Sequence, residues 1–159
     1  MKKLIAFLLL HFTIITIVSA QTSAKSMYVE LLGPGIASIN FDTRFSKTED
    51  GLGGRIGIGG FSSDGFGVFT LPVGLNYLLG KDKKNYFEIG AGFTYIHTKG
   101  DIFFGNSDEE SSSSFGHLSF GYRLQPANGG FLFRAAIVPV FGKGYFVPYY
   151  AGIAFGYKF

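Results

Sequence analysis

Alternation of apolar with small or polar residues is the feature that most constrains the fold of this chain. It is clearest at the end of the sequence, in YYAGIAFGYKF, residues 149–159. Successive side chains of a β-strand point to opposite faces, so this spacing predicts a strand with one apolar face and one small or polar face. The eleven residues of this segment match the ~9–11 that a tilted strand needs to cross a bilayer. The apolar face carries Tyr149, Ala151, Ile153, Phe155, Tyr157 and Phe159, and the other carries Tyr150, Gly152, Ala154, Gly156 and Lys158.

The same alternation recurs along the chain and predicts eight strands, an even number such as bacterial single-chain barrels have. If both ends of the chain are periplasmic, the short inner turns fall near 47–51, 80–84 and 126–129. The outer connections fall near 34–35, 63–65, 99–113 and 142–146, and the longest and most polar of them is therefore outside. The expected fold is all-β, an eight-stranded antiparallel up-and-down transmembrane β-barrel. The predicted strands are 26–33, 36–46, 52–62, 66–79, 85–98, 114–125, 130–141 and 147–159.

The stretch GLGGRIGIGG, residues 51–60, looks like a phosphate-binding loop but reads better as a strand. It lacks the G-x-G-x-x-G spacing of a dinucleotide fingerprint, and no helical pattern follows whose N-terminus would receive a phosphate. Leu52, Ile56 and Ile58 alternate instead with Gly53, Arg55, Gly57 and Gly59.

The first twenty residues have the form of a signal peptide. Lys2 and Lys3 precede an apolar run from Leu4 to Val18, and Val18-Ser19-Ala20 forms a small-residue cleavage site. We therefore expect residues 1–20 to be removed and residues 21–159 to form a single barrel domain.

Charge and composition exclude several classes of function. Without Lys2 and Lys3, twelve basic residues face eleven acidic ones, and the cations are scattered, which argues against a nucleic-acid partner. There is no Cys, and hence no disulfide framework or thiol chemistry. The 24 Gly and 19 Phe residues fit strands that are crowded on one side and bulky on the other.

The polar face predicts what fills the barrel. Backbone groups in hydrocarbon must be paired within the protein, so the sheet must close on itself. Eight strands leave an interior that side chains fill, and charges buried there must be paired, which predicts a salt-bridge network in the lumen. A narrow water-filled pore is the alternative. The expected inward set is Glu30, Asp42, Arg44, Arg55, Glu88, His117, Arg123, Arg134 and Lys158, with Asn40 and Asn76.

With these features the chain resembles small outer-membrane barrels of the OmpA/OmpX type, particularly the short barrel-domain proteins of Bacteroidetes. The resemblance covers 26–159 and implies a place in the bacterial outer membrane, with outer-membrane lipids and the barrel-assembly machinery as partners. The alternating aromatic ending, with Tyr157 and Phe159, resembles the C-terminal signal that delivers such barrels to that machinery. Members of the family differ in function.

The expected role is structural or interactive, carried out by a monomer with no catalytic site, cofactor or metal. Loop 99–113, which contains Phe103, Phe104 and the acidic run 108–110, is the expected contact for an unidentified surface partner. Asp108-Glu109-Glu110 lacks the ligand spacing of a calcium loop.

Three further interpretations stay open. A soluble lipocalin-like carrier would alternate in the same way with its faces reversed. A barrel that binds lipid or another hydrophobic ligand is the second. The third is an acyl-transfer enzyme, since His97, Asp101, Ser107 and Ser111–Ser114 include the residue types that nucleophilic catalysis needs.

Overall fold

The computed structural model describes residues 23–63, 66–99 and 111–159. The predicted signal peptide at 1–20 and most of loop 99–113 lie outside these ranges. Within them the chain is built from β-structure joined by short connections. The strands are β1 (Lys25–Leu32), β2 (Ala37–Arg44), β3 (Gly51–Ser63), β4 (Phe66–Leu79), β5 (Asn85–Lys99), β6 (Ser111–Leu124), β7 (Gly130–Ile137), β8 (Val140–Gly142), β9 (Tyr145–Val147) and β10 (Ala151–Lys158).

The strands close into a ring, which confirms the predicted fold class. Each of β1 to β6 pairs antiparallel with the next, and β7 and β8 both pair with β6. β10 pairs with β7 on one side and with β1 on the other, from Ser26 opposite Lys158 to Leu32 opposite Gly152. Since β7 with β8, and β9 with β10, each make one interrupted strand, the described residues form an eight-stranded antiparallel barrel.

Two prolines divide the last two barrel strands, so the predicted strands 130–141 and 147–159 are not continuous. Pro139 lies between β7 and β8, and Pro148 lies between β9 and β10. Proline has no N–H to donate to a ladder. The ladder resumes around the break, since Val138 N donates to Tyr150 O at 2.6 Å and Leu118 N donates to Pro139 O at 2.9 Å.

The sheet is taller on one side of the barrel. β3, β4, β5 and β6 have 13 to 15 residues without a break, whereas β1 and β2 have eight, and β7 and β10 have eight before the proline breaks that separate them from β8 and β9. The prediction that Ser111–Ser113 are loop residues was wrong, because the ladder between β5 and β6 continues up to Thr98 opposite Ser111. The long hairpins therefore rise at the end of the barrel opposite residues 23 and 159, which are the described termini; this end is called the outer mouth.

The two faces of the wall differ as the alternation predicts. The whole of the glycine-rich stretch 51–60 belongs to β3, which confirms that it is a strand. Ile56 and Ile58 are exposed on the outside of the barrel, while Arg55, which precedes Ile56, is buried inside. The outward face is broadly apolar, and the buried charged side chains of the strands point into the lumen.

Candidate functional site

Asp42 is the centre of the ionic network in the half of the lumen nearest the termini. Arg44 Nη2 donates to its Oδ1 at 2.5 Å, and Arg123 donates to both carboxylate oxygens at 3.1 Å each. Asn76 Nδ2 donates to Asp42 Oδ2 at 2.5 Å, and Arg44 Nη2 also donates to Asn76 Oδ1. One carboxylate thus ties together β2, β4 and β6 across the barrel.

The network continues toward the outer mouth through two glutamates. Arg123 Nη1 lies 3.3 Å from Glu88 Oε2, and Arg134 Nε donates to Glu88 Oε1 at 2.8 Å. Arg134 Nη1 also donates to Glu30 Oε1, which lies 3.6 Å from Arg55 Nη1. Cations and anions therefore alternate along the lumen, in the order Arg44, Asp42, Arg123, Glu88, Arg134, Glu30, Arg55.

His117 ends this chain as a neutral side chain. Its Nε2 lies 3.3 Å from Arg55 Nη2. A guanidinium has only donors, so the imidazole nitrogen must accept, which a doubly protonated ring cannot do. Because four arginines face three carboxylates in the chain, protonation of His117 would add to a positive excess.

All eleven residues of the predicted inward set are buried, but two of them lie outside the ionic chain. Lys158 turns to the end of the barrel near the termini, where its Nζ lies 2.7 Å from Glu49 Oε1 and also donates to Ala127 O. Asn40 Nδ2 donates to Ser38 Oγ at 2.9 Å. The other nine converge in the lumen as one network.

The prediction missed the apolar part of the lumen. Tyr28, Leu132 and Ala154 form a buried cluster, and the guanidinium of Arg123 lies 5.8 Å from the centre of the Tyr28 ring. The signal was present in the sequence, since Tyr28 is two residues before Glu30 and so shares its face of the strand.

The β1–β2 loop, residues 33–36, covers the lumen at its outer end. Gly33, Pro34 and Gly35 are buried, which is unusual for a loop. Thr70 Oγ1 donates to Gly35 O at 2.8 Å, and Gly33 N donates to Ala151 O at 3.1 Å, so the loop is fastened to opposite walls. A Cβ on Gly33 would lie 2.6 Å from Glu30 Cδ, which places the loop directly upon the network.

Aromatic side chains surround the outer mouth. The β8–β9 hairpin exposes Phe141, Tyr145 and Phe146, and Tyr149 beyond it is 90% exposed. Where such a surface meets a partner, tyrosine is among the residue types that contribute most to binding.

The structure brings together two members of the predicted His and Ser set. Ser112 lies opposite His97 in the ladder, with its Oγ 2.9 Å from His97 Nδ1. Tyr95 also donates to Ser112 Oγ at 2.9 Å. Asp101 and Ser107 lie outside the described residues, so their relation to this pair is not part of the structure.

Other candidate sites are absent from the described ranges. No group of three or more His, Asp or Glu side chains there could hold a metal ion. In the same residues, no helix is long and apolar enough to cross a membrane.

The chain matches no protein-family model and no curated protein sequence. It is similar in structure to the N-terminal β-barrel domain of Pseudomonas aeruginosa OprF, with a TM-score of 0.65 and 13% identity over 87% of this chain and 98% of that one. Ail of Yersinia pestis, solved in complex with the heparin analogue sucrose octasulfate, aligns with a TM-score of 0.46 and 16% identity over 87% and 99% of the two chains. The likeness to the OprF domain establishes the fold: the chain is a small eight-stranded β-barrel of the kind found in outer-membrane proteins.

Proposed function

We propose that this protein is an integral barrel of the bacterial outer membrane, of the OmpA/OmpX type, with a filled lumen and a role in contacts at the cell surface. The observation that carries the proposal is the arrangement of the two faces of the barrel wall, which is the reverse of that in a soluble protein: the apolar face is outside and the charged face is inside. Phe93, Ile58 and Leu75 are more than half exposed on the outer wall, while Arg123 and Arg134 are fully buried within. Soluble monomers rarely expose an apolar patch above a few hundred Å², whereas lipid covers such a wall.

The same observation argues against a soluble carrier. A lipocalin-like barrel needs an apolar cup and a polar exterior. Here the lumen holds the ion-pair chain from Arg44 to Arg55, and the exterior is apolar.

The surface role rests on what stands above the barrel. The hairpins β3–β4 and β5–β6 are taller than the β1–β2 hairpin, and Tyr149, just beyond the β8–β9 hairpin, is 90% exposed. Loop 99–113, whose ends are carried by the β5–β6 hairpin, is the proposed contact for the surface partner. The proposal also includes a monomeric state and assembly by the barrel-assembly machinery.

Labelling of single cysteines tests the membrane location and the orientation together. The chain has no natural Cys. Lys143 lies in the turn between β8 and β9, and Lys81 lies in the turn between β4 and β5 at the end near the termini; both are exposed. In a bacterial host with an outer membrane, we expect an impermeant maleimide to label Lys143→Cys on intact cells. Lys81→Cys should react only after the outer membrane is permeabilised.

The wild-type chain is the unlabelled control for this experiment. Recovery of both variants in the soluble fraction would contradict the membrane location. Labelling of Lys81→Cys but not Lys143→Cys on intact cells would reverse the orientation.

A narrow pore is the first alternative, and the lumen opposes it. The ionic chain crosses the barrel, and the β1–β2 loop lies upon its outer end. We therefore expect the purified chain to give no steady single-channel current in planar bilayers. A reproducible ion-selective current from the wild-type protein would replace the filled-lumen proposal with a pore.

Acyl transfer is the second alternative, favoured by the His97–Ser112 contact. A serine that donates to a histidine nitrogen is the arrangement by which a hydroxyl is activated. His97 and Ser112 also face each other as a cross-strand pair of β5 and β6, which accounts for their contact without any catalysis. We therefore expect His97→Ala to leave the acylation pattern of outer-membrane lipids unchanged in mass spectra, with Tyr77→Ala as the control on the outer wall. Loss of a lipid modification in His97→Ala alone would establish the enzyme.

A further inference from the structure

An apolar pocket of about 250 Å³ lies above the β1–β2 loop. Pro34 and Ile36 of that loop form one side, Phe115 of β6 forms another, and Val140 and Val147 of the β8–β9 hairpin form the third. The side chains that line it in the described part of the chain carry no formal charge. The ionic network ends just below it.

The pocket opens within the mouth of the barrel rather than toward lipid. Phe115 is two residues before His117, which is buried in the lumen, so both share the inward face of β6. Tyr150 lines the pocket and is two residues before the inward Gly152 in the same way. A ligand would therefore arrive from the water outside the barrel and not from the acyl chains around it.

One wall of the pocket is a strained loop that hydrogen bonds hold in place. Ile36 has a φ of 66°, a left-handed conformation that a branched side chain adopts at a cost of ~1–3 kcal/mol. Its N–H donates to Gly33 O at 3.2 Å, and the Thr70 bond to Gly35 O fastens the same loop. A glycine at this position would remove the strain and also the apolar side chain that lines the pocket.

We propose that this pocket binds a compact, uncharged aromatic or branched aliphatic molecule. The lining is apolar, and no charged side chain among the described residues faces the space to compensate an ion. A dry cavity of ~150 Å³ already accepts benzene, so 250 Å³ fits a bicyclic ring. The biological meaning of this inference rests on the proposed function, in which this mouth faces the outside of the cell. Binding measured in a nanodisc does not depend on that orientation, because both ends of the barrel are then open to water.

Indole is a suitable probe, measured by methyl NMR on residues 21–159 in lipid nanodiscs. We expect saturable shifts in the methyl signals of Ile36, Val140 and Val147, which line the pocket. The methyls of Val29 and Ile39, exposed on the outer wall, should shift only in proportion to the indole dissolved in lipid. Val140→Phe should weaken binding at least tenfold, whereas Val29→Phe, the same change on the outer wall, should not.

The variant Ile36→Gly distinguishes a role of Ile36 in ligand binding from a purely structural role. It should leave the urea midpoint of unfolding unchanged or higher, because strain is relieved, and yet weaken indole binding several-fold. Shifts that never saturate, or that are equal at Val29 and Val140, would overturn the proposal. Saturable binding of decanoate but not of indole would overturn the ligand class in favour of acyl chains. None of these outcomes bears on the cysteine labelling, which tests the orientation separately.

Discussion

Replacement of Asp42 with alanine should lower the free energy of unfolding by about 3–5 kcal/mol, the usual cost of removing one partner from a buried ion pair. Asp42 is almost fully buried and accepts hydrogen bonds from Arg44, Arg123 and Asn76. Its loss leaves two guanidinium groups in the lumen with one anion fewer. In the unfolded chain these cations are hydrated, so the full penalty falls on the folded barrel.

The measurement is a urea titration of folding into lipid vesicles, followed by the mobility shift of the folded chain on a cold gel. Asp50→Ala is the matched control, because Asp50 lies in the turn before β3 and makes no ion pair that the structure describes. Asp42→Asn keeps the shape but not the charge and should fall between the two. An Asp42→Ala midpoint equal to that of Asp50→Ala would show that the network does not stabilise the barrel.

Alternation in the sequence was sufficient to predict which side chains point inward, but not how they pair. A period of two fixes the face of Asp42 and Arg123 independently of the rest of the fold. Their contact joins residues far apart in the chain and depends on ring closure and on the register of the strands between them. The register of each strand pair depends on many weak side-chain preferences between neighbouring strands, and their combined effect around the barrel cannot be read from one sequence.

The outer mouth was the least predictable part. Ser111–Ser113 show no alternation with apolar residues, and only their pairing with β5 reveals them as part of a strand. Leu32 and Ile36 adopt positive φ values, where the sequence would lead one to expect glycine. The pocket was not foreseen because one of its sides depends on the irregular loop residue Ile36. Pro139 and Pro148, by contrast, were visible signals for the breaks in the last two barrel strands.

The second large effect is expected at the seam where the barrel closes. Gly156 of β10 lies opposite Tyr28 of β1. A Cβ added at Gly156 would lie 2.5 Å from Tyr28 Cα and closer still to the carbonyl oxygen of Met27. Both contacts are with backbone, so no rotation of a side chain relieves them. Gly156→Ala must therefore separate β1 from β10.

Overpacking of a tight interior costs ~1–3 kcal/mol, and here it also disturbs the hydrogen bonds that complete the ring. We expect Gly156→Ala to reduce the folded fraction on a cold gel and to lower the urea midpoint. Gly67→Ala at the top of β4 is the control, because an added Cβ there meets nothing within 4 Å. If the two variants fold equally well, β1 and β10 can accommodate a methyl group between them, and a glycine at this position is not required for closure of the barrel. If only Gly156→Ala fails, the glycine at this position follows from the narrow radius of an eight-stranded ring, whose crowded inner surface leaves no room for a methyl group beside Tyr28.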